Sequence, residues 1–384
     1  MSVPPDDSRD SRYARQARLP QVGDDGQRRL AGASVLVAGC GALGSALAET
    51  LARAGVGSGG GRLVVVDRDV VERSNLQRQT LFDDLDAERA LPKAIAAERR
   101  LREINPTVNI DAHVADLDAG NVVALAGCDD GDRKVDVIVD GLDNFETRYL
   151  LNDVAVKHAV PYVYGGAVGT TGTAMVVLPH SAPPDIPQAD RDTPWEKIGL
   201  ATPDLRDLFE TLPPPGSTAT CDTAGVLGPI IAVVAAWQAT EALKILLGDW
   251  EAVNRKLLSV DLWTNRVNHL DVSTAYESSS GICSKQRRFE FLERATRGGA
   301  VKLCGRDAVQ VAPAAPTAID FAALTRRWAG VVGHVRAAPF MARAELLGED
   351  HGLTLTVFED GRALIQGTDD AARARTVVAR YLGS

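Results

Sequence analysis

Short apolar runs alternate with helical patterns along the first part of the chain. Residues 34–38 form an apolar run that ends at glycines, and residues 45–53 then place small and apolar residues at helical spacing. The alternation recurs downstream, with strand patterns at 62–67, 108–115 and 135–140 and helix patterns at 92–104 and 144–158. This order predicts a Rossmann-like, doubly wound α/β fold with a mainly parallel sheet.

The pattern weakens in residues 180–220, which contain eight prolines and show little periodicity. A segment of this length without regular structure is typical of a functional or disordered loop, and we interpret it as a flexible crossover loop. The uncharged stretch that follows, 224–240, is only 17 residues long and contains Pro229 and Gln238. It therefore predicts a buried helix instead of a membrane span, and we expect no membrane partner.

Composition suggests where the domains begin and end. Residues 1–12 are polar and predict a flexible tail, whereas residues 13–272 carry the alternating pattern of the main domain. Residues 273–284 include a Ser-Ser-Ser-Gly run, which is typical of a linker. Residues 285–384 contain a hairpin pattern and a terminal helical pattern, so we expect a small C-terminal α+β domain.

Charge and cysteine content narrow the class of function. The 384 residues carry a formal net charge of -9, which disfavours a nucleic-acid backbone as the main partner. The five cysteines are odd in number and irregularly spaced in the sequence. We therefore expect reduced thiols and a cytoplasmic location.

A glycine motif lies between the first strand pattern and the first helix pattern. It consists of Gly39, Gly41 and Gly44, and Asp67 ends the second strand pattern. Such glycines let the backbone approach a phosphate or ribose, the helix N-terminus favours an anion, and the acid can hold ribose hydroxyls. The motif predicts a nucleotide site, with a tight structural turn as the alternative, and does not specify the nucleotide.

The loop after Asp67 supplies cations and amides in the quantity that a triphosphate needs. Asn75, Arg78 and Gln79 lie on this loop, and Lys93 begins the next helix pattern. Arginine binds phosphate oxygens through two donors and lysine acts as a point charge, so together they can stabilise charge that develops on phosphorus. Each residue alone could be an ordinary surface residue, but the set favours phosphate chemistry.

An acidic turn follows the buried strand pattern that ends at residue 140. Asp143 and Asn144 come at the carboxyl end of this strand, where open parallel sheets bind ligands. Asp143 is a candidate Mg²⁺ ligand, because Mg²⁺ prefers one or two carboxylates together with substrate phosphates. The alternative is that Asp143 or Asn144 caps the following helix, and both roles can hold if Asn144 is the cap.

Taken together, residues 12–272 resemble the ThiF/MoeB family of ubiquitin-activating-type adenylyltransferases. The resemblance rests on eight ordered stretches, which are the glycine motif, RYARQ at 12–16, DRD at 67–69, SNLQRQ at 74–79, PK at 92–93, DN at 143–144, TCDTAGV at 220–226 and QATEALK at 238–244. It implies that ATP and Mg²⁺ activate the C-terminal Gly-Gly carboxylate of a ubiquitin-like sulfur-carrier protein as an acyl-adenylate, with release of pyrophosphate.

The resemblance also implies roles for individual residues. Gly41 would lie against the nucleotide, Asp67 would hold the ribose, Arg78 and Lys93 would hold the phosphates, and Asp143 would bind Mg²⁺. The arginine that matches Arg15 reaches into the neighbouring subunit's site in such families, which implies a homodimer. In ThiF-like members, the cysteine that matches Cys221 can link to the activated carrier during sulfur transfer. A small core cysteine is the alternative for Cys221.

One part of the family pattern is missing. Family members usually carry a structural zinc on two Cys-x-x-Cys pairs, and here Asp204-Leu205-Arg206-Asp207 stands in place of the first pair. Only Cys283 remains near the second, with Ser280 or Gln286 as the other member. Two aspartates and one thiol are a poor tetrahedral set, so we predict no zinc.

Other interpretations remain open from the sequence. A nucleotide-dependent oxidoreductase uses the same glycine motif, and a non-catalytic carrier-binding protein could keep the fold. The sequence does not choose between a thiamine-type and a molybdopterin-type carrier. The C-terminal segment resembles an extension found on some ThiF-like proteins and lacks the cysteine loop of a rhodanese domain.

Overall fold

The computed structural model describes residues 12–130, 133–181, 192–212, 224–293, 299–302, 307–313 and 317–383. The described chain forms two compact units, one of residues 12–293 and one of residues 299–383. The segment 273–284, which the sequence suggests as a linker, lies within the first unit. Cys221, residues 1–11 and much of the predicted crossover loop lie outside the described residues.

The first unit combines one large sheet with helices on both faces. Its strands are β1 (Ser34–Ala38), β2 (Arg62–Val66), β3 (Ile110–His113), β4 (Val137–Asp140), β5 (Tyr162–Val168), β6 (Thr171–Val177), β7 (Leu257–Asp261) and β8 (Arg266–Leu270). Its helices are α1 (Ala14–Ala17), α2 (Gly23–Gly32), α3 (Ala42–Ala54), α4 (Asp84–Arg89), α5 (Lys93–Ile104), α6 (Val122–Leu125), α7 (Phe145–His158), α8 (Pro194–Lys197), α9 (Leu205–Leu208), α10 (Gly228–Leu247) and α11 (Ala275–Ser278).

The sheet has the order β3-β2-β1-β4-β5-β6-β7-β8. The strands from β3 to β5 are parallel, with Val35 opposite Leu63 on one side of β1 and opposite Val137 on the other. The strands from β5 to β8 are antiparallel. The chain winds outward in both directions from β1 and β4, so the crevice at their carboxyl ends is the expected ligand position of a doubly wound sheet.

Burial on both faces explains the continuous apolar runs of the central strands. Val35 and Val37 of β1 face a core shared with α3 and α10, whereas Leu36 and Ala38 face a second core shared with α7. Strands buried on both faces are typical of parallel sheets under two helical layers. These two cores hold the carboxyl ends of β1 and β4 in fixed positions.

The predicted buried helix corresponds to α10. By length and composition α10 is long and apolar enough to cross a membrane, and half of its most apolar stretch is buried within the unit. Ile230, Val234 and Ala239 pack in the core beside α3. This burial pattern is that of a core helix in a globular unit.

The second unit is an antiparallel sheet that packs against helices. Its strands are β9 (Gly299–Lys302), β10 (Ala308–Ala312), β11 (Val335–Ala338), β12 (Met341–Glu345), β13 (Thr354–Phe358) and β14 (Ala363–Gln366), in the sheet order β11-β12-β13-β14-β10-β9. Its helices α12 (Phe321–Trp328) and α13 (Ala371–Leu382) supply Trp328 and Val377 to one core with the sheet. The expected α+β organisation and the hairpin between β13 and β14 are both present.

Candidate active site

Glycines bring three backbone segments together at the carboxyl ends of β1 and β4. Gly39 follows β1 with a φ of +83°, and a Cβ at Gly44 or at Gly141 would overlap the Gly39 carbonyl oxygen. The N-terminus of α3 therefore packs directly against the ends of both strands. The sequence motif predicts Gly39 and Gly44, whereas Gly141 follows a different strand and escapes the motif.

Gly41 differs from these packing glycines. A Cβ at Gly41 would approach the chain no closer than 3.7 Å, at the Gly141 carbonyl oxygen. Since packing against the described chain does not require glycine here, the close approach of a ligand is a physical reason for it.

The Asp67 carboxylate fixes the glycine loop. Its Oδ2 accepts the backbone N–H of Cys40 at 2.7 Å, and its Oδ1 accepts the backbone N–H of Asp69 at 2.7 Å. Burial raises the pKa of Asp67, and the nearby Lys93 opposes that rise. Each oxygen keeps a lone pair, because a carboxylate can accept about four hydrogen bonds in all.

Lys93 lies buried beside this carboxylate and not on the surface. Its side chain is 3% exposed, and Nζ is 3.1 Å from Oδ2 of Asp69. The Lys93 backbone N–H also donates to the Asp69 carbonyl oxygen at 2.9 Å, so two contacts join the start of α5 to the end of β2. The structure therefore brings Lys93 together with Asp67 near the glycine loop.

The loop of residues 74–79 places one amide next to Gly41. Gln79 is buried, and its Nε2 would lie 3.9 Å from a Cβ at Gly41. Within the described part of the chain, no donor reaches the buried Oε1 of Gln79. Asn75 is also buried and accepts the Glu72 N–H at 3.3 Å, whereas Arg78 donates to the Ser74 carbonyl oxygen at 2.9 Å.

In the acidic turn after β4, the structure distinguishes the helix cap from the exposed carboxylate. Asn144 Oδ1 accepts the Thr147 N–H at 2.9 Å and thus caps α7. Asp143 is exposed and makes no hydrogen bond or ion pair with the described residues. Its two oxygens are therefore available to a ligand. In the described ranges, no group of three His, Cys, Asp or Glu side chains could hold a metal, so Mg²⁺ at Asp143 would take its other ligands from substrate and water.

A buried ion pair beneath this turn was not predicted from the sequence. Asp140 Oδ2 accepts Nε of Arg148 at 3.0 Å and the Tyr162 hydroxyl at 2.8 Å. Arg148 also donates to the carbonyl oxygens of Leu142 at 2.6 Å and Gly165 at 2.8 Å. Burial raises the pKa of Asp140, and the Arg148 charge opposes this. The network holds the turn that carries Asp143.

Gln238 extends the network to α10. Its Nε2 donates to the carbonyl oxygens of Asp140 at 2.9 Å and Val163 at 3.2 Å. The stretch around Gln238 is one of the matching stretches in the sequence, but no role followed from it. An amide within the uncharged stretch 224–240 was the signal that a buried hydrogen bond exists there.

Arg15 lies away from the glycine loop of its own chain. It is exposed on α1, and the neighbouring Gln16 donates to the Ala54 carbonyl oxygen at 3.0 Å, at the C-terminal end of α3. Because α3 is 13 residues long, its two ends are about 20 Å apart. The structure thus brings together Gly39, Gly41, Gly44, Asp67, Gln79 and Lys93, but not Arg15.

Comparisons with known proteins identify the family. The ThiF family model matches residues 13–283. The sulfur carrier protein ThiS adenylyltransferase of Bacillus subtilis is 38% identical over 372 residues, which cover 97% of this chain and 99% of that protein. The sulfur carrier protein adenylyltransferase of Thermus thermophilus is 40% identical over 250 residues, which cover 65% of this chain and 82% of that protein.

A solved structure shares the fold. The crystal structure of E. coli MccB with ATP aligns with a TM-score of 0.51 at 20% identity, over 73% of this chain and 75% of that chain. The predicted Rossmann-like fold and the predicted family are therefore confirmed. The chain belongs to the ThiF family and is an adenylyltransferase of the ThiF/MoeB type.

Proposed function

We propose that this chain uses ATP and Mg²⁺ to adenylate the C-terminal Gly-Gly carboxylate of a ubiquitin-like sulfur-carrier protein. The observation that carries the proposal is the buried Lys93, held by Asp69 beside Asp67 and the glycine loop. The names of the relatives from Bacillus subtilis and Thermus thermophilus support the substrate class. Sulfur transfer in thiamine, molybdopterin or related biosynthesis would use the product.

In this reaction, a carboxylate oxygen of the carrier attacks the α-phosphorus of ATP. The new C–O–P linkage forms as the bond from the α-phosphorus to the bridging oxygen breaks, and pyrophosphate leaves with that electron pair. Negative charge grows on the phosphate oxygens during this step. Fixed cations at these oxygens lower the barrier, because they need no reorganisation when the charge develops.

The residues of the site divide this work. The backbone at Gly41 lies against the nucleotide, Asp67 accepts the ribose hydroxyls on its remaining lone pairs, and Gln79 places its amide nitrogen beside Gly41. Lys93 and Arg78 donate to the phosphates. Asn75 shapes the loop that carries Arg78, since its own side chain bonds to Glu72.

Asp143 is the proposed ligand of Mg²⁺. Asp143 would hold the ion, and Mg²⁺ bound there would supply positive charge at the phosphates of ATP. The exposed carboxylate of Asp143 suits this role because no described residue competes for its oxygens. Asn144 caps α7 and so keeps the Asp143 carboxylate at the carboxyl ends of the parallel strands.

A homodimer and a later step at Cys221 are further parts of the proposal. Arg15 is exposed on α1, which contacts the end of α3 opposite its own glycine loop, as expected of a residue that completes the partner's site. Cys221 would link to the activated carrier during sulfur transfer, after adenylation. The free thiols Cys40, Cys128 and Cys283 are consistent with a cytoplasmic location.

The proposal is tested by exchange of labelled pyrophosphate into ATP in the presence of candidate carriers. We expect exchange that depends on the carrier and on Mg²⁺ and that falls about 100-fold or more in Asp143→Ala, because a ligand to the phosphate-bound metal is lost. Asp24→Ala is the matched control, since Asp24 is an exposed carboxylate on α2. The absence of exchange with every Gly-Gly-terminated carrier would refute the proposal.

A further inference from the structure

Asp204, Asp207 and Cys283 occupy the positions where the family resemblance implies zinc-binding cysteines. Asp204 is the N-cap of α9, Asp207 lies within its single turn, and Cys283 lies in the segment 279–293, which contacts α9 and α7. All three side chains are buried. Whether they suit a metal therefore depends on how their polar atoms are already used.

The two carboxylates bond to the backbone of α9. Asp204 Oδ1 accepts the N–H groups of Arg206 at 2.7 Å and Asp207 at 3.2 Å, and it also accepts Nδ2 of Asn152 at 3.3 Å. Asp207 Oδ2 in turn accepts the Asp204 N–H at 3.0 Å. This is a reciprocal capping box, in which both carboxylates stabilise the helix start.

Hydroxyl groups of the following segment complete the environment of Asp207. Its Oδ1 accepts the hydroxyls of Ser279 at 2.6 Å and Ser284 at 3.2 Å. Both serines belong to the segment 273–284, whose composition is typical of a linker. They join the segment 279–293 to α9 through hydrogen bonds to a buried carboxylate.

Cys283 acts as a donor in the same cluster. Its Sγ lies 3.1 Å from Oδ1 of Asp153 on α7, and Oδ2 of Asp153 accepts the backbone N–H of Phe291 at 2.8 Å. The Phe291 ring then packs edge-on against Tyr149 of α7 at 5.2 Å. Cys283 thus joins the segment to α7 as a protonated thiol.

These residues do not fit a zinc ion. Zinc requires about four ligand atoms in a tetrahedron, and thiolate is the usual sulfur ligand. Cys283 supplies one sulfur, and burial beside Asp204 and Asp153 raises its pKa far above the usual value. Asp204 Oδ2 is the one buried carboxylate oxygen of the cluster without a partner. No group of three potential ligands exists in the described part of the chain.

We propose that hydrogen bonds replace a metal here. A zinc-free hydrogen-bond cluster holds the segment 279–293 on α7 and α9, and its members are Asp204, Asp207, Ser279, Ser284, Cys283 and Asp153. The buried carboxylates accept backbone and hydroxyl donors where cysteines would hold an ion. The first unit is then complete without zinc. Its stability depends on donors to the two aspartates instead of on metal supply.

Two substitutions at Cys283 distinguish a zinc site from this hydrogen-bond cluster. Cys283→Ser keeps a donor to Asp153, whereas Cys283→Ala leaves that buried carboxylate oxygen without its partner. In a zinc site both substitutions remove a ligand and act alike. In the hydrogen-bond cluster we expect Cys283→Ser to keep the wild-type Tm within about 2 °C. Cys283→Ala should lower the Tm by about 3–10 °C, because it leaves a buried acceptor unpaired.

The experiment uses the full chain, expressed in zinc-supplemented medium and purified without a metal-affinity step. We expect less than a tenth of an equivalent of zinc by elemental analysis, and an unchanged Tm after incubation with a strong zinc chelator. Stoichiometric zinc, or a chelator-dependent fall in Tm, overturns the proposal. Equal destabilisation by Cys283→Ser and Cys283→Ala overturns it too. Ser284→Ala supplies a second readout, because it removes one donor to Asp207 and should lower Tm without changing metal content.

Discussion

The Lys93 ammonium lies 3.1 Å from the Asp69 carboxylate, and both belong to the cluster around Asp67. A buried lysine needs a counter-charge, and Asp69 supplies it before any phosphate is present. The pair therefore holds a cation beside the glycine loop at little cost in reorganisation. A bound triphosphate would share that cation with Asp69.

Removal of this cation should slow the adenylation step. We expect Lys93→Ala to lower pyrophosphate exchange about 100- to 1,000-fold, since one fixed cation at the developing charge is lost. Arg102→Ala is the control on the same helix, because Arg102 is exposed and pairs with Glu98 on the surface. An exchange rate for Lys93→Ala within a factor of three of the control would exclude Lys93 from the phosphates.

The glycines should separate folding from binding. Gly44→Ala forces a methyl group into the Gly39 carbonyl oxygen and should prevent stable folding. Gly41→Ala meets no such packing obstacle, so we expect a variant that folds and whose KM for ATP is raised about tenfold or more. Thermal unfolding and exchange kinetics of both variants check this. Unchanged ATP affinity in Gly41→Ala would show that the nucleotide does not approach this position.

The Asp140–Arg148 pair should be costly to break. Arg148→Met leaves the buried Asp140 carboxylate without its counter-charge, and we expect the free energy of unfolding to fall by about 3–5 kcal/mol. Tyr162→Phe removes only the hydroxyl donor and should cost about 1–3 kcal/mol. Denaturant titrations measure both. If Arg148→Met were no more destabilising than Tyr162→Phe, the ion pair would not be what holds the turn.

Much of the fold follows from the sequence because the central strands are buried on both faces. The apolar runs of β1, β2 and β4 indicate parallel strands, and the helical patterns between them indicate crossovers. The antiparallel direction of β6 and β7 did not follow, since an apolar run carries no information on direction. Such pairing is decided by the tertiary contacts of the whole sheet.

The site was less predictable than the fold for a related reason. The glycine motif and Asp67 are recognisable as local patterns, but Lys93 pairs with Asp69 from 24 positions away. Asp140 and Gln238 are 98 positions apart. In the segment 273–284, Ser279 and Ser284 donate to a buried carboxylate, a contact that composition does not indicate.

Stability should depend on pH through Asp204. Burial raises the pKa of Asp204 to about 7, so the folded state favours the protonated acid. The stability that this proton provides is present below the usual pKa of about 4 and is lost as the pH rises through about 7. We expect Asp204→Asn to flatten this fall and to be more stable than the wild type at pH 8. Unfolding titrations of both proteins at pH 4 to 8 measure this fall in stability. Parallel curves of unfolding free energy against pH would show that Asp204 does not cause it.

The proposed position of Arg15 in the partner subunit's site predicts that two inactive variants restore activity when they are combined. Arg15→Ala and Asp143→Ala should each be inactive alone, whereas a mixture re-equilibrated into heterodimers contains one intact site, formed by Arg15 of one variant and Asp143 of the other. Random pairing should restore about a quarter of the wild-type exchange rate. No recovery in a mixture shown to form heterodimers would place Arg15 outside the partner's site.

The most direct test of adenylation is to observe the acyl-adenylate itself. The enzyme is mixed with ATP, Mg²⁺ and a Gly-Gly-terminated carrier, and the intact mass of the carrier is measured after rapid quenching. We predict a carrier population heavier by one adenylyl group (AMP less one water), absent when the terminal glycine is deleted and absent with Asp143→Ala. A carrier that keeps its original mass under conditions where ATP is bound would contradict the account.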